Sequence, residues 1–321
     1  MNNLHVTNKV TTPMKLFRMN TLLRSLMLLL LLASPVASAS ADQQTFTTPE
    51  AAVDALTAAL KANDEGALLS IFGEKHKKLV ITGDRAYDTV ARSEAAANIA
   101  TFSTLNDRGP DRRVLLIGAQ AWPLPIPLVR QAGVWRFSTE EGVDELLNRR
   151  IGSNEHNAIH VLRAYLDAQH DFSSRDRDGD GVLQYAKKLT SDLGKYDGLY
   201  WPADETKGEE ASPFGPLIAA SSAYRAGHRK GDPYRGYHFR ILTRQGRDAP
   251  GGAYNYVING RMIAGFAMIA YPDAYGESGV MTFIVNHNGK LYEKDLGKNT
   301  AGIAGKTVSF NPRTGWREVT P

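Results

Sequence analysis

The sequence predicts an α+β protein of two domains, each with helices packed on an antiparallel sheet. Three observations carry this. Capped stretches with apolar residues three and four positions apart recur through the first half. Short β-rich runs joined by turn pairs such as Asn259-Gly260 and Asn288-Gly289 fill the last third. Between them, Ser153 to Lys188 runs from a long amphipathic pattern into an acidic, glycine-punctuated loop. At 321 residues the chain is long enough for two domains of roughly 100–200 residues each.

Residues 1–41 read as a secretory signal peptide. Lys9, Lys15 and Arg18 precede an apolar run from Leu22 to Ala33, which Arg24 interrupts near its start, and small residues follow to Ala41. Small-x-small patterns end at Ala39 and Ala41, and cleavage is expected after one of them. The apolar run is shorter than the roughly 20 residues that cross a bilayer, and no later run is apolar enough to do so. The expected location is periplasmic or secreted.

Residues 42–151 form the first expected domain. Thr48 caps a helix that opens with Pro49 and Glu50 and carries Val53, Leu56 and Leu60 on one face. Asn63-Asp64 caps a second helix. Lys78 to Thr82 reads as a short strand and Thr89 to Phe102 as a third helix. Strands are expected at Arg113 to Ala119, Ile126 to Arg130 and Val134 to Ser138, the last two joined through Gln131-Ala-Gly133. The alternate prolines of Trp122 to Pro127 suit a sheet edge. Thr139 to Arg150 reads as a fourth helix, with Gly152 breaking it.

Residues 152–321 form the second expected domain. Ser153 caps a helix with Ile159, Leu162, Tyr165, Leu166, Gln169 and Phe172 on its buried side. A long loop from Tyr196 to Gly236 follows, with one helix at Pro216 to Tyr224. Five strands are expected: Tyr237 to Leu242, Ala253 to Ile258, Met262 to Tyr271, Gly279 to Asn286 and Leu291 to Asp295. The residues after Gly297 read as a surface trail.

The formal net charge is +4, from 38 Lys and Arg against 34 Asp and Glu. Four of those cations lie before Ala41, where no acid stands, so the remainder is neutral. Nucleic acid therefore gains no support as a partner. The chain has no cysteine, which excludes disulfides, thiol catalysis and a cysteine-linked lipid.

Some stretches resemble known families. Two or three helices followed by a curved sheet ending in the LVRQAGVWRF hairpin resemble the nuclear transport factor two-like or cystatin-like α+β cone, over residues 46–150. Ala158 to Phe172 and Ser278 to Gly289 resemble parts of the type IV pilin and pseudopilin globular domain. The long apolar pilin helix is missing, so assembly by that mechanism is not implied. From Gln44 to Trp316 the chain resembles exported bacterial proteins known as a domain of unknown function (numbered twenty-nine fifty). That likeness is carried by TPEAAVDAL, WPLPIPLVR, LNRRIGSNEHNAI, SRDRDGDGVLQYA, DGLYWP, APGGAYNYVINGRMIAGFA and YGESGVMTFIVNHNGKLYEKDLG. It implies export and no particular activity.

The sharpest chemical signal is Asp176-x-Asp178-x-Asp180-Gly181. Carboxylates at alternate positions with glycine sixth let one loop wrap a hard cation such as Ca2+, as in an EF-hand. Lys187 stands where the closing glutamate belongs, so a further donor is expected from near Asp192 or Asp197 or from water. The competing reading is a solvated turn whose charges are offset by Arg175 and Arg177. His156 and His160 have helical metal-pair spacing, but Asn157 replaces the glutamate of the zinc-protease motif, and surface histidines are expected. Gly276-Glu277-Ser278-Gly279 misses the nucleophile-elbow spacing at Val280, and no helix is expected after Gly251-Gly252 to make a phosphate cradle. Tyr196, Tyr200, Trp201, Tyr224, Tyr234 and Tyr237, with Arg225, Arg229 and Arg235, are expected to pin the long loop to the core.

No catalytic residue set is complete. The expected function is non-enzymatic binding or scaffolding in the cell envelope, stiffened by Ca2+, with an envelope protein or a glycan as the partner classes left open. The alternative is small-molecule binding or an isomerase- or hydrolase-like activity in an N-terminal pocket, with Asp84, Tyr87 and Asp88 nearest to acid or base roles.

Overall fold

The computed structural model describes residues 43–220, 231–313 and 315–320. The expected leader, together with Tyr224, Arg225 and Arg229, lies outside the described residues. The architecture is α+β. Helices α1 (Pro49–Ala62), α2 (Glu65–Phe72), α3 (Lys77–Val80) and α4 (Arg85–Thr101) precede strands β1 (Ser103–Asp107), β2 (Arg112–Ile117), β3 (Trp122–Pro123), β4 (Leu128–Gln131) and β5 (Val134–Phe137). The sheet order is β1-β2-β4-β5, with β3 paired to β2. All its pairings are antiparallel.

Local chemistry explains these starts and stops. The Thr48 hydroxyl accepts from Ala51 N at 3.1 Å, and an Asp64 carboxylate oxygen accepts from Ala67 N at 2.9 Å. Ala132 and Gly133 both take positive φ, 48° and 84°, the geometry of a two-residue hairpin turn. Lys78 to Thr82 is not a strand. Its first residues form α3, because Arg150 donates to the Lys78 and Leu79 carbonyls and Arg92 to the Val80 carbonyl. These guanidiniums satisfy helix-end carbonyls that a strand would have paired laterally. Strand β1 was not expected; it pairs in full register with β2, from Ser103 opposite Ile117 to Asp107 opposite Arg113.

Helix α5 runs unbroken from Thr139 to Ser173, 35 residues. The expected break at Gly152 does not occur. Gly152 is exposed with open space around its Cα, so it costs only its own propensity of up to about 1 kcal/mol, which flanking packing overrides. The domain boundary expected at 151/152 falls inside this helix. Two apolar clusters sit along the chain. One gathers Leu56, Leu68, Ile71, Leu115, Leu128 and Phe137; the other gathers Leu162, Tyr165, Phe266, Ile269 and Phe283.

After the long loop, α6 (Gly215–Ala220) precedes β6 (Tyr237–Leu242), β7 (Arg244–Gln245), β8 (Tyr254–Asn255), β9 (Val257–Ile258), β10 (Arg261–Met262), β11 (Ala267–Pro272), β12 (Met281–Asn286), β13 (Leu291–Asp295), α7 (Thr300–Lys306) and β14 (Arg317–Glu318). The main sheet has the order β14-β13-β12-β11-β6. Ala267 to Ala270 of β11 are wholly buried, so both faces of that strand are covered; α5 and α7 pack on it. The expected surface trail after Gly297 therefore contains α7, and Ala304 and Phe310 are core residues. Asn259 and Gly260 have φ of 50° and 81° and make the expected hairpin between β9 and β10. At Asn288-Gly289 only Gly289 takes positive φ, and its N donates to Asn286 O at 2.9 Å, so that turn closes one residue earlier. Among the described residues, no helix is long and apolar enough to cross a membrane.

Candidate functional site

The aspartate loop leaves the C-terminal end of α5 and is fixed on its far side by Gln169. This wholly buried amide accepts from Ala186 N at 2.8 Å and donates to Ala186 O at 2.9 Å and to the Tyr165 hydroxyl at 3.1 Å. A polar side chain on the apolar stripe of α5 thus holds the residues that follow the loop. Tyr185 adds a backbone bridge to Met262, its N donating to Met262 O at 2.8 Å.

Within the loop, Asp176 folds the chain around its own carboxylate. One oxygen accepts from Gly179 N at 2.8 Å and Asp180 N at 3.3 Å, the other from Gly181 N at 2.7 Å. These bonds, Gly181 first, hold the exposed Asp176 carboxyl below the usual carboxylate range. Gly181 has φ of 79°, which a residue with a side chain rarely adopts. Asp178 accepts from Gln184 Nε2 at 2.7 Å. Asp180 accepts from Val182 N at 3.0 Å and pairs with Arg261, whose Nε lies at 2.7 Å.

One carboxylate oxygen from each of Asp176, Asp178 and Asp180 lies within 4.8 Å of the others, and all three side chains are exposed. Among the described residues, no further acid or histidine joins them. The Asp192 and Asp197 carboxylates are held by Lys188, each at 2.7 Å, and are not part of the cluster. Lys187 reaches Gly260 O instead of closing the loop. Arg175 and Arg177 turn away to Glu210, at 3.1 and 2.9 Å. Arg177 also lies over the Phe172 and Trp201 rings, 4.9 and 5.7 Å from their centroids. Neither guanidinium is hydrogen-bonded to an aspartate of the cluster, but the two share the single carboxylate of Glu210 and border the same cavity as Asp178. The cluster's bonded cationic partner is Arg261, 81 residues from Asp180 in sequence and beyond the reach of local pattern reading. Asp176, Asp178, Asp180 and Glu210 face Arg175, Arg177 and Arg261, four negative charges against three positive, so the region carries about one net negative charge.

The other expected features fall into place separately. Asp84 caps α4, accepting from Tyr87 N at 2.9 Å. Asp88 is buried and accepts from Thr82 N at 3.1 Å and the Thr82 hydroxyl at 2.7 Å. Burial pushes its carboxyl above the ordinary range. Tyr87 and Asp88 border a groove of about 410 Å³ walled by Leu60, Leu68, Phe72 and Leu146, with Arg150 at its side. Leu68 of its wall belongs to the same apolar cluster as the buried Leu115, Ile126, Leu128 and Phe137, and Leu60 and Phe72 pack against that cluster. Ser278 exchanges hydrogen bonds with the Ala274 backbone, at 3.0 and 3.2 Å, and is a turn residue. Gln245 Nε2 donates to Pro250 O and Gly252 O, both at 2.7 Å, which directs carbonyls, not amide N–H groups, into that loop. Trp201 donates to Glu210 O at 2.8 Å and meets Tyr196 at 4.8 Å, while Tyr237 donates to Met281 O at 2.8 Å. Of these rings Trp201 is the one that ties the long loop to the core, since Tyr196 is exposed and Tyr237 belongs to β6.

No curated protein and no solved structure matches the chain. The likenesses to the cystatin-like cone and to the pilin domain are not confirmed by these comparisons. Residues 43–319 match the family described as a protein of unknown function (DUF2950), and the chain belongs to that family.

Proposed function

We propose that this protein is an exported, non-enzymatic binding or scaffolding component of the cell envelope, whose helix-to-loop junction is stiffened by Ca2+ at Asp176, Asp178 and Asp180. The observation that carries the reading is the convergence of three carboxylates within 4.8 Å on a loop with EF-hand spacing. Ca2+ takes six to eight oxygen ligands in flexible geometry. The three aspartates supply part of that shell, and loop carbonyls and water complete it. A cation there stabilises the fold by mass action, about 2.7 kcal/mol at one hundred times its dissociation constant. For a chain of this size the expected rise in melting temperature is about 5 °C.

Calorimetry of the purified protein with Ca2+, and melting curves before and after chelation, test the reading. One-to-one binding that Asp178→Asn weakens is the expected result. Absence of both heat and melting shift removes the ion from the proposal. An envelope protein or a glycan is the partner class this scaffold would hold.

A second reading is favoured by the groove between α4 and α5. Its walls are apolar, yet Asp88 sits there with a raised carboxyl pKa, the chemistry that a small-molecule isomerase or hydrolase needs of an acid. A dansyl-labelled fatty acid should enter the groove and gain fluorescence, and Ala91→Trp, which fills the wall, should abolish the gain. Equal uptake by wild type and variant would discard this reading.

A further inference from the structure

His156 and His160 lie on the exposed face of α5, one turn apart, and their Nε2 atoms share a hydrogen bond of 2.9 Å, one ring donating and the other accepting. The rings meet edge to face, with centroids 4.4 Å apart and planes at 83°. The same turn is anchored on its other face by Ala158, Val161 and Leu162, all buried. The backbone that carries the two imidazoles is therefore fixed before any ligand arrives.

We propose that this pair is a chelating site for a borderline divalent transition metal of the Cu2+ or Ni2+ type. Two nitrogens bound at about 2.05 Å and at right angles to each other lie about 2.9 Å apart, the value expected for neighbouring positions of square-planar or octahedral coordination. Tetrahedral zinc would hold them about 3.4 Å apart. Metal binding replaces the hydrogen bond between the rings: the donor ring releases its Nε2 proton and takes the tautomer protonated at Nδ1, so that both Nε2 lone pairs reach the ion. The pair fills two adjacent positions, and exposure leaves the others open to water or to a donor from a second molecule.

This site is chemically distinct from the aspartate loop. Imidazole nitrogens select borderline metals, while the carboxylates select hard ones. The helix supplies the chelate advantage: once one imidazole is bound, the second acts at high effective concentration, and losing either weakens binding by about 100-fold.

The test is a Ni2+ and Cu2+ titration of the protein prepared without a histidine tag. It is followed by calorimetry and, for Cu2+, by the nitrogen couplings in the electron paramagnetic resonance spectrum. His156→Gln and His160→Gln are compared with Asp178→Asn, and far-UV circular dichroism confirms that the surface variants fold. The expected result is one-to-one binding with two equivalent nitrogens, about 100-fold weaker in either histidine variant and unchanged in Asp178→Asn. Equal affinity in wild type and His160→Gln, or a loss confined to Asp178→Asn, would overturn the proposal. Saturating Ca2+ is kept in every titration, so that a divalent-binding loop adds no second equivalent and the result at the histidines is separate from that at the loop.

Discussion

Gln169→Leu is expected to lower the free energy of unfolding by about 3 kcal/mol or more, measured by urea denaturation. Leucine has nearly the shape of glutamine and suits the apolar face of α5, so lost packing is not the cause. The cause is that Ala186 N and Ala186 O lose their partner at a wholly buried position, and the Tyr165 hydroxyl loses a donor. Each stranded group costs about 1–3 kcal/mol in desolvation. The same change releases the far side of the aspartate loop, so Ca2+ affinity should fall along with stability. A stability change below about 1 kcal/mol would show that water satisfies these groups and that the clamp is weak.

Gly142→Ala should be as damaging, for a steric reason. Alanine is the better helix former by up to about 1 kcal/mol. A Cβ at position 142 would meet Pro125 O at 2.4 Å, Pro125 C at 2.5 Å and Ile126 N at 2.7 Å, all backbone atoms. Neither the helix nor the β3–β4 connection can yield cheaply, since Ile126 and Leu128 are wholly buried. Overpacking of this kind costs roughly 1–3 kcal/mol, and the rigid partner puts the expected loss near 3. Gly152→Ala in the same helix is the control. Nothing lies within 4 Å of the Cβ it would gain, so it should stabilise by about 0.5–1 kcal/mol. Equal effects at the two glycines would contradict the tight contact between α5 and residues 125–126.

Much of the fold was legible because it is written in local chemistry. Thr48 and Asp64 cap where their side chains reach the next turn, Asn259-Gly260 turns because both residues accept positive φ, and Tyr237–Leu242 and Leu291–Asp295 are strands as their patterns require. What was not legible depends on distant partners. Lys78 to Val80 became helix because arginines from α4 and α5 take up its carbonyls, and α5 ignores Gly152 because both flanks are held by packing. The candidate site divides the same way. The spacing of Asp176, Asp178 and Asp180 announced a cluster, but the turning away of Arg175 and Arg177 to Glu210 and the arrival of Arg261 are tertiary facts. The 2.9 Å approach of His156 to His160 follows from rotamers that one turn of spacing permits without requiring.

The unbroken α5 has a metric consequence. At about 1.5 Å per residue its 35 residues form a rod about 50 Å long. Leu146, Arg149 and Arg150 on its early turns border the groove, the histidine pair sits near its middle, and the aspartate loop begins where it ends. A single helix therefore acts as a ruler: it spaces three chemically different surfaces, apolar, imidazole and carboxylate, along one axis. No linker of variable length intervenes between them. A partner that engaged two of these surfaces at once would be selected by their separation as well as by their chemistry.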